Sequence, residues 1–167
     1  MIQEYTDLLL SFISENKFWA PPIIGIMAFF ESIFLIGLIM PATVILVATG
    51  ALIGAGALDL LPIAITASIG CFLGDNVSYY VGSKVRPGLF RSGIYKKHRN
   101  IILRSHLLFQ KYGIYAVFVG RFLGPLRSTV PTVAGVLRVP ILKFQIANLC
   151  SAILWPPLYM LPGILVI

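Results

Sequence analysis

The sequence predicts an all-α integral membrane protein built as an inverted repeat, and three observations carry that expectation. Hydrophobic residues make up 58% of the 167 residues and charged ones only 11%, where a soluble domain carries about 25% charged residues. Several apolar runs reach the roughly 20 residues that a helix needs to cross a bilayer. Two of the apolar segments also share a pattern. Glu31 is followed ten residues later by Pro41 in "FFESIFLIGLIMP", and Arg121 ten residues later by Pro131 in "VGRFLGPLRSTVP", ninety residues along. Matching broken apolar segments in two halves point to a transporter whose site lies near the membrane midplane.

The elements follow in order along a single membrane domain, residues 1–167. Residues 1–17 are expected to form a short amphipathic helix in the interface, with Tyr5, Leu8, Leu9, Phe12 and Ile13 on one face and Glu4, Asp7 and Glu15 opposite. Residues 18–83 form the first repeat. Phe18 to Leu58 is almost wholly apolar, carries Glu31, and is too long for one span, so it reads as two spans or as a re-entrant hairpin plus a span. Residues 60–83 make the next apolar segment, with Asp75 inside it.

Residues 84–111 are a basic connector. Lys84, Arg86, Arg91, Lys96, Lys97, Arg99, Arg104 and Lys111 occur there with no acid, which places the loop on the cytoplasmic side. Ile94, Tyr95, Ile101, Ile102, Leu108 and Phe109 recur at helical spacing, so part of it is an amphipathic helix against anionic headgroups. That apolar face argues against nucleic acid as the partner of the basic run. Residues 112–167 form the second repeat. It ends in an apolar segment from Ile141 to Ile167 without a polar tail, and a longer chain with a further helix is expected. Trp155, Pro156 and Pro157 read as an interfacial anchor and a kink.

Charge in the apolar segments marks the candidate site. An arginine near the bilayer centre costs roughly 2.5–3.5 kcal/mol on insertion scales, yet Arg121 and Arg127 both lie in "VFVGRFLGPLRSTVPTVAGVL". No acid follows Asp75, and only Glu31 and Asp75 lie well inside apolar segments. The partners of the arginines are therefore these two acids or an anionic ligand. Glu31 with Arg121 and Asp75 with Arg127 is one pairing, and the crossed arrangement stays open.

These residues resemble the DedA family of membrane proteins, the SNARE-associated or VTT-domain proteins, in its YabI-like bacterial branch. The likeness rests on "FFESIFLIGLIMPATVILVATGALIG", "GCFLGDNVSYYVGSK" and "VGRFLGPLRSTVPTVAGVL…F…N…W", and runs from about Phe18 to Gly163 in the family's order. It implies two re-entrant hairpins facing each other from opposite sides of the inner membrane. It also implies movement of lipids such as undecaprenyl phosphate or phospholipids between leaflets, driven in some members by protons. The family's acidic positions match Glu31 and Asp75, and its paired arginines match Arg121 and Arg127. The departure is at the C-terminus, where members usually continue into another helix.

The chemistry agrees with that implication. Guanidinium forks bind phosphate bidentately, and Pro41, Pro125 and Pro131 are expected to break the hairpins and free backbone N–H groups. Glu31 and Asp75 would hold the arginines without substrate and carry the coupling proton. The competing reading makes the charges structural ion pairs. Tyr79, Tyr80, Asn76 and Ser78 are secondary headgroup candidates or satisfied neighbours of other helices. A proton-coupled transporter of small cations or drugs is the alternative function. A lipid phosphatase is disfavoured, because no histidine lies in an apolar segment and neither a Gly-x-Ser-x-Gly elbow nor a His-Glu-x-x-His pair occurs. No enzyme activity, cofactor or metal is expected. Cys71 and Cys150 read as small buried hydrophobes and His98 and His106 as solvated interfacial residues. The expected partners are the bilayer and a lipid with a phosphate headgroup, and a homo-oligomer stays open.

Overall fold

Helix is the only regular structure among the described residues of this computed structural model, which are 17–33, 42–84, 99–123 and 126–165. The helices are α1 (Ala20–Ser32), α2 (Ala42–Gly54), α3 (Leu60–Lys84), α4 (Arg99–Tyr112), α5 (Tyr115–Gly120), α6 (Thr129–Val136) and α7 (Ile141–Leu165). Residues 1–16 of the expected interfacial helix, Pro41, Gly124, Pro125 and residues 85–98 of the basic connector lie outside the described residues.

Only α3 and α7 are long and apolar enough to cross a membrane among the described residues, at 25 residues each. At 1.5 Å per residue each spans about 37 Å, against about 30 Å of hydrocarbon. Helices α1 and α2 have 13 residues each, about 20 Å, and neither crosses upright. Among the described residues, the long apolar stretch before Leu58 thus holds two short helices.

The side-chain distribution is that of a protein solvated by lipid. Beyond Ile63 near its start, the buried face of α3 is Ala67, Gly70, Cys71, Gly74, Asp75, Ser78 and Gly82, while Leu61, Ile65, Ile69 and Leu73 point outward. Bulky aliphatics outside and small or polar groups inside is how membrane helices associate. Gly70, Gly74, Ser78 and Gly82 recur every four residues. A Cβ on Gly70 would overlap the Gly25 carbonyl of α1, and one on Gly74 that of Phe29, so α1 and α3 run side by side in the same direction.

The same helix contact occurs twice. Between α2 and α7, Gly163 lies on the Val47 carbonyl and Gly50 on that of Met160. Between α3 and α6, Gly82 lies on the Thr132 carbonyl and Gly135 on that of Tyr79. In each case a glycine meets the carbonyl three residues before its partner glycine. By their neighbours Gly135 matches Gly163, each against one carbonyl and the nitrogen four residues on, and Gly82 matches Gly50.

Two apolar clusters result. One joins α1, α2, α3 and the second half of α7, and the other joins α4, α5 and α6 to Phe144 near the start of α7. Loops close with the expected residues. Gly56 takes φ 71 after α2, where the Ala57 N–H reaches the Leu52 carbonyl, and Gly113 takes φ 56 after α4. Pro131 sits in the first turn of α6, where its missing N–H has no intrahelical role. It therefore opens a helix, and the interruption expected of it lies before Ser128. Helix α7 continues through Pro156, Pro157 and Pro162.

Candidate functional site

Local structure delivers the two arginines to one place. Arg121 is the residue after α5, and Arg127 precedes the Ser128 cap of α6. Their neighbours in sequence belong to different clusters, Val117 to the second and Phe122 to the first, so the segment between α5 and α6 sits where the clusters meet. Glu31 lies in the last turn of α1, and Asp75 is three residues past the middle of α3. All four charged side chains are buried, none more than 7% exposed.

The pairing is the crossed one. Arg121 Nη2 donates to Asp75 Oδ2 and, at 2.7 Å, to Asn148 Oδ1 of α7. Asn148 is itself oriented by donating to the Phe72 carbonyl at 3.3 Å. Arg127 Nη1 lies 2.7 Å from Glu31 Oε2, an ion pair without the alignment of a hydrogen bond. Its Nη2 reaches the Cys71 thiol sulfur at 3.3 Å and Ser32 Oγ at 3.5 Å. The guanidinium carbon stacks 3.5 Å above the Trp155 ring. Two buried positive charges thus meet two buried negative ones, and the site is neutral as it stands.

Neutrality leaves donor capacity unspent. Arg121 Nη1, Arg127 Nε and Trp155 Nε1 are buried with no hydrogen-bond partner among the described residues, as is the acceptor Asp75 Oδ1. Buried polar groups are nearly always satisfied, so orphaned guanidinium nitrogens call for an explanation.

The structure brings Glu31, Asp75, Arg121 and Arg127 together as the sequence suggests and adds Asn148, Cys71, Ser32 and Trp155. Trp155 corrects the expectation of an interfacial anchor. It is 1% exposed and two residues from the middle of a helix that runs on to Leu165. Cys71 is buried as expected but also serves a guanidinium, while Cys150 is exposed. The secondary headgroup candidates are mostly committed elsewhere. Ser78 donates to the Ser32 carbonyl at 2.8 Å, Tyr79 to that of Val139, and Asn76 to that of Phe72 at 2.7 Å. Tyr80 is exposed. Asn148 stood in the motif "F…N…W" with no role assigned to it. The roles of Cys71 and Trp155 carried no signal either.

Comparison with known proteins supplies the lineage. The chain is 38% identical to the inner membrane protein YabI of Escherichia coli over 158 residues, 95% of this chain and 62% of that protein. It is 35% identical to the uncharacterized membrane protein BU139 of Buchnera aphidicola, over 93% of this chain and 61% of that protein. It is 34% identical to the E. coli inner membrane protein YghB, over 81% of this chain and 65% of that one. The chain thus spans about three-fifths of the length of the curated relatives it matches. No solved structure matches. With relatives of that location and two apolar spanning helices, it is a bacterial inner-membrane protein. Residues 40–165 match the model of the VTT domain, and the chain belongs to that family, the DedA family.

Proposed function

We propose that the protein carries an anionic, phosphate-bearing lipid across the inner membrane, with Arg121 and Arg127 as the headgroup cradle. The observation behind this reading is the pair of buried arginines that keep unpartnered donors in an otherwise neutral site. An arginine retained only to staple helices would be expected to exhaust its donors on the protein, because an unsatisfied buried group costs about 1–3 kcal/mol. The substrate classes are those the family implies, undecaprenyl phosphate or a phospholipid, in support of envelope homeostasis.

The mechanism we assign begins with exchange. Phosphate takes the guanidinium edges that Glu31 and Asp75 hold, and a proton taken up with the anion restores neutrality at one of the two carboxyls. We read α1–α2 and α5–α6 as two opposed re-entrant hairpins. The duplicated glycine contact supports a repeat, since α2 with α7 and α3 with α6 pack through the same reciprocal glycine contact. A groove of about 590 Å³ between α3 and α7, lined by Leu61, Ile65, Phe72, Leu149 and Ile153, offers the acyl chain a place beside the site. The charges bind and translocate, and we assign no bond-breaking step.

The test is leaflet translocation in proteoliposomes of labelled polyprenyl phosphate against phosphatidylethanolamine. Arg127→Lys keeps the charge and loses the fork, so transport should fall at least tenfold with protein level unchanged. The structure also names the right double variant, Glu31→Ala with Arg127→Ala. It should be stable and inactive. A stable double variant that still transports would reduce the pair to a structural staple.

A further inference from the structure

Each arginine of the site has two kinds of holder. One is a carboxylate, Asp75 for Arg121 and Glu31 for Arg127. The other is uncharged and comes from α7: the Asn148 amide for Arg121 at 2.7 Å and the Trp155 ring for Arg127 at 3.5 Å. Asn148 and Trp155 are seven residues apart, two helical turns, and so share one face of α7. Both are at most 1% exposed.

The two kinds of holder respond differently to an arriving anion. A carboxylate competes with phosphate for the same N–H groups and must be displaced. An aromatic face attracts the cation through its quadrupole and occupies none of the in-plane N–H groups. An amide oxygen takes one donor and carries no charge to repel the ligand. Without such holders, a guanidinium that exchanged its carboxylate for substrate would swing through its rotamers, and the geometry of a bidentate site would be lost.

From this we infer that Asn148 and Trp155 are positioning residues of the anion site, which keep the two guanidinium planes in place while their anionic partners exchange. The inference rests on the proposed phosphate-binding role of the arginines. It adds a rigid wall, α7, to a cradle whose other partners are carried by α1 and α3. Trp155 also packs within the apolar cluster shared with α1 and α2, and its ring lies 5.1 Å, centroid to centroid, from that of Tyr159.

The chain has two tryptophans, and Trp19 is 56% exposed, so Trp19→Phe leaves Trp155 as a sole reporter on the Arg127 plane. The single-tryptophan protein in phosphatidylcholine nanodiscs would be titrated with phosphatidic acid and, as the phosphate-free control, with diacylglycerol. Binding of radiolabelled phosphatidic acid would be followed in parallel. Trp155 emission should change along the radiolabel binding curve with phosphatidic acid and stay constant with diacylglycerol. Trp155→Leu and Asn148→Leu should each weaken phosphatidic acid binding roughly tenfold or more, with Trp155→Phe in between. Inorganic phosphate, added to protein in detergent, separates the sources. An emission change there supports the positioning role with phosphate alone as ligand, and a change with phosphatidic acid only supports it with the lipid as ligand. Constant Trp155 emission during saturable radiolabel binding, or undiminished affinity in the folded Phe and Leu variants, would overturn the inference and leave anion binding intact. Absence of radiolabel binding to the unmutated chain would instead remove the function on which the inference stands.

Discussion

The two arginine clamps lie within one buried site and are built differently. Arg121 is tied by aligned hydrogen bonds to Asp75 and Asn148, both from the long helices α3 and α7. Arg127 has a misaligned ion pair with Glu31, two long contacts to a thiol and a hydroxyl, and an indole face. Charge-assisted hydrogen bonds that are well aligned are the strong ones. The difference marks Arg121 as the anchored member and Arg127 as the one that can change partners at low cost.

The largest effect expected from this comparison is on stability at the anchored clamp. Asp75→Ala leaves Arg121 buried at 3% exposure with its main partner gone, and thermal unfolding should report a loss of about 3–5 kcal/mol. Adding Arg121→Ala should recover most of it. At the looser clamp, Glu31→Ala should lose about 1–3 kcal/mol, because the indole face still holds the cation. Equal losses from Asp75→Ala and Glu31→Ala would break the distinction between the clamps.

The duplicated helix contact sets the next prediction. Gly135→Ala and Gly163→Ala each drive a Cβ into a carbonyl in equivalent surroundings, and each should cost about 1–3 kcal/mol by overpacking. A large loss in one and none in the other would argue against a repeat. The smallest effect belongs to Tyr80, which faces outward at 62% exposure. Tyr80→Phe should stay within about 0.5 kcal/mol in stability and leave translocation unchanged. A transport defect there would return this tyrosine to the headgroup site.

Much of the site was readable because intramembrane charge is costly. Four ionisable groups in apolar segments had to find one another or a ligand, and Glu31, Asp75, Arg121 and Arg127 do converge. Their partners were not readable, since the order of residues along the chain says nothing about which helix faces which. Trp155 shows the same limit from the other side. A tryptophan before two prolines resembles a membrane-surface anchor, but α7 carries those prolines in its interior and puts the ring at mid-helix. The charge-to-proline spacing suggested a repeat, while the duplicated helix contact itself rests on glycines, because backbone approach is governed by the absence of a Cβ and not by where a proline falls.

By itself the sequence determined the solvent, the two long spans α3 and α7, the burial of four opposite charges among aliphatic residues, and a lineage of inner-membrane proteins. These follow from composition, run length and motif order, which are properties of the chain taken locally. The tertiary structure alone decided the crossed pairing, the unequal tightness of the two clamps, and the uncharged wall of Asn148 and Trp155 on α7. Those depend on helix direction and on glycine contacts that bring backbones to touching distance, and a residue twenty-eight positions from Arg127 becomes its neighbour only when two helices pack.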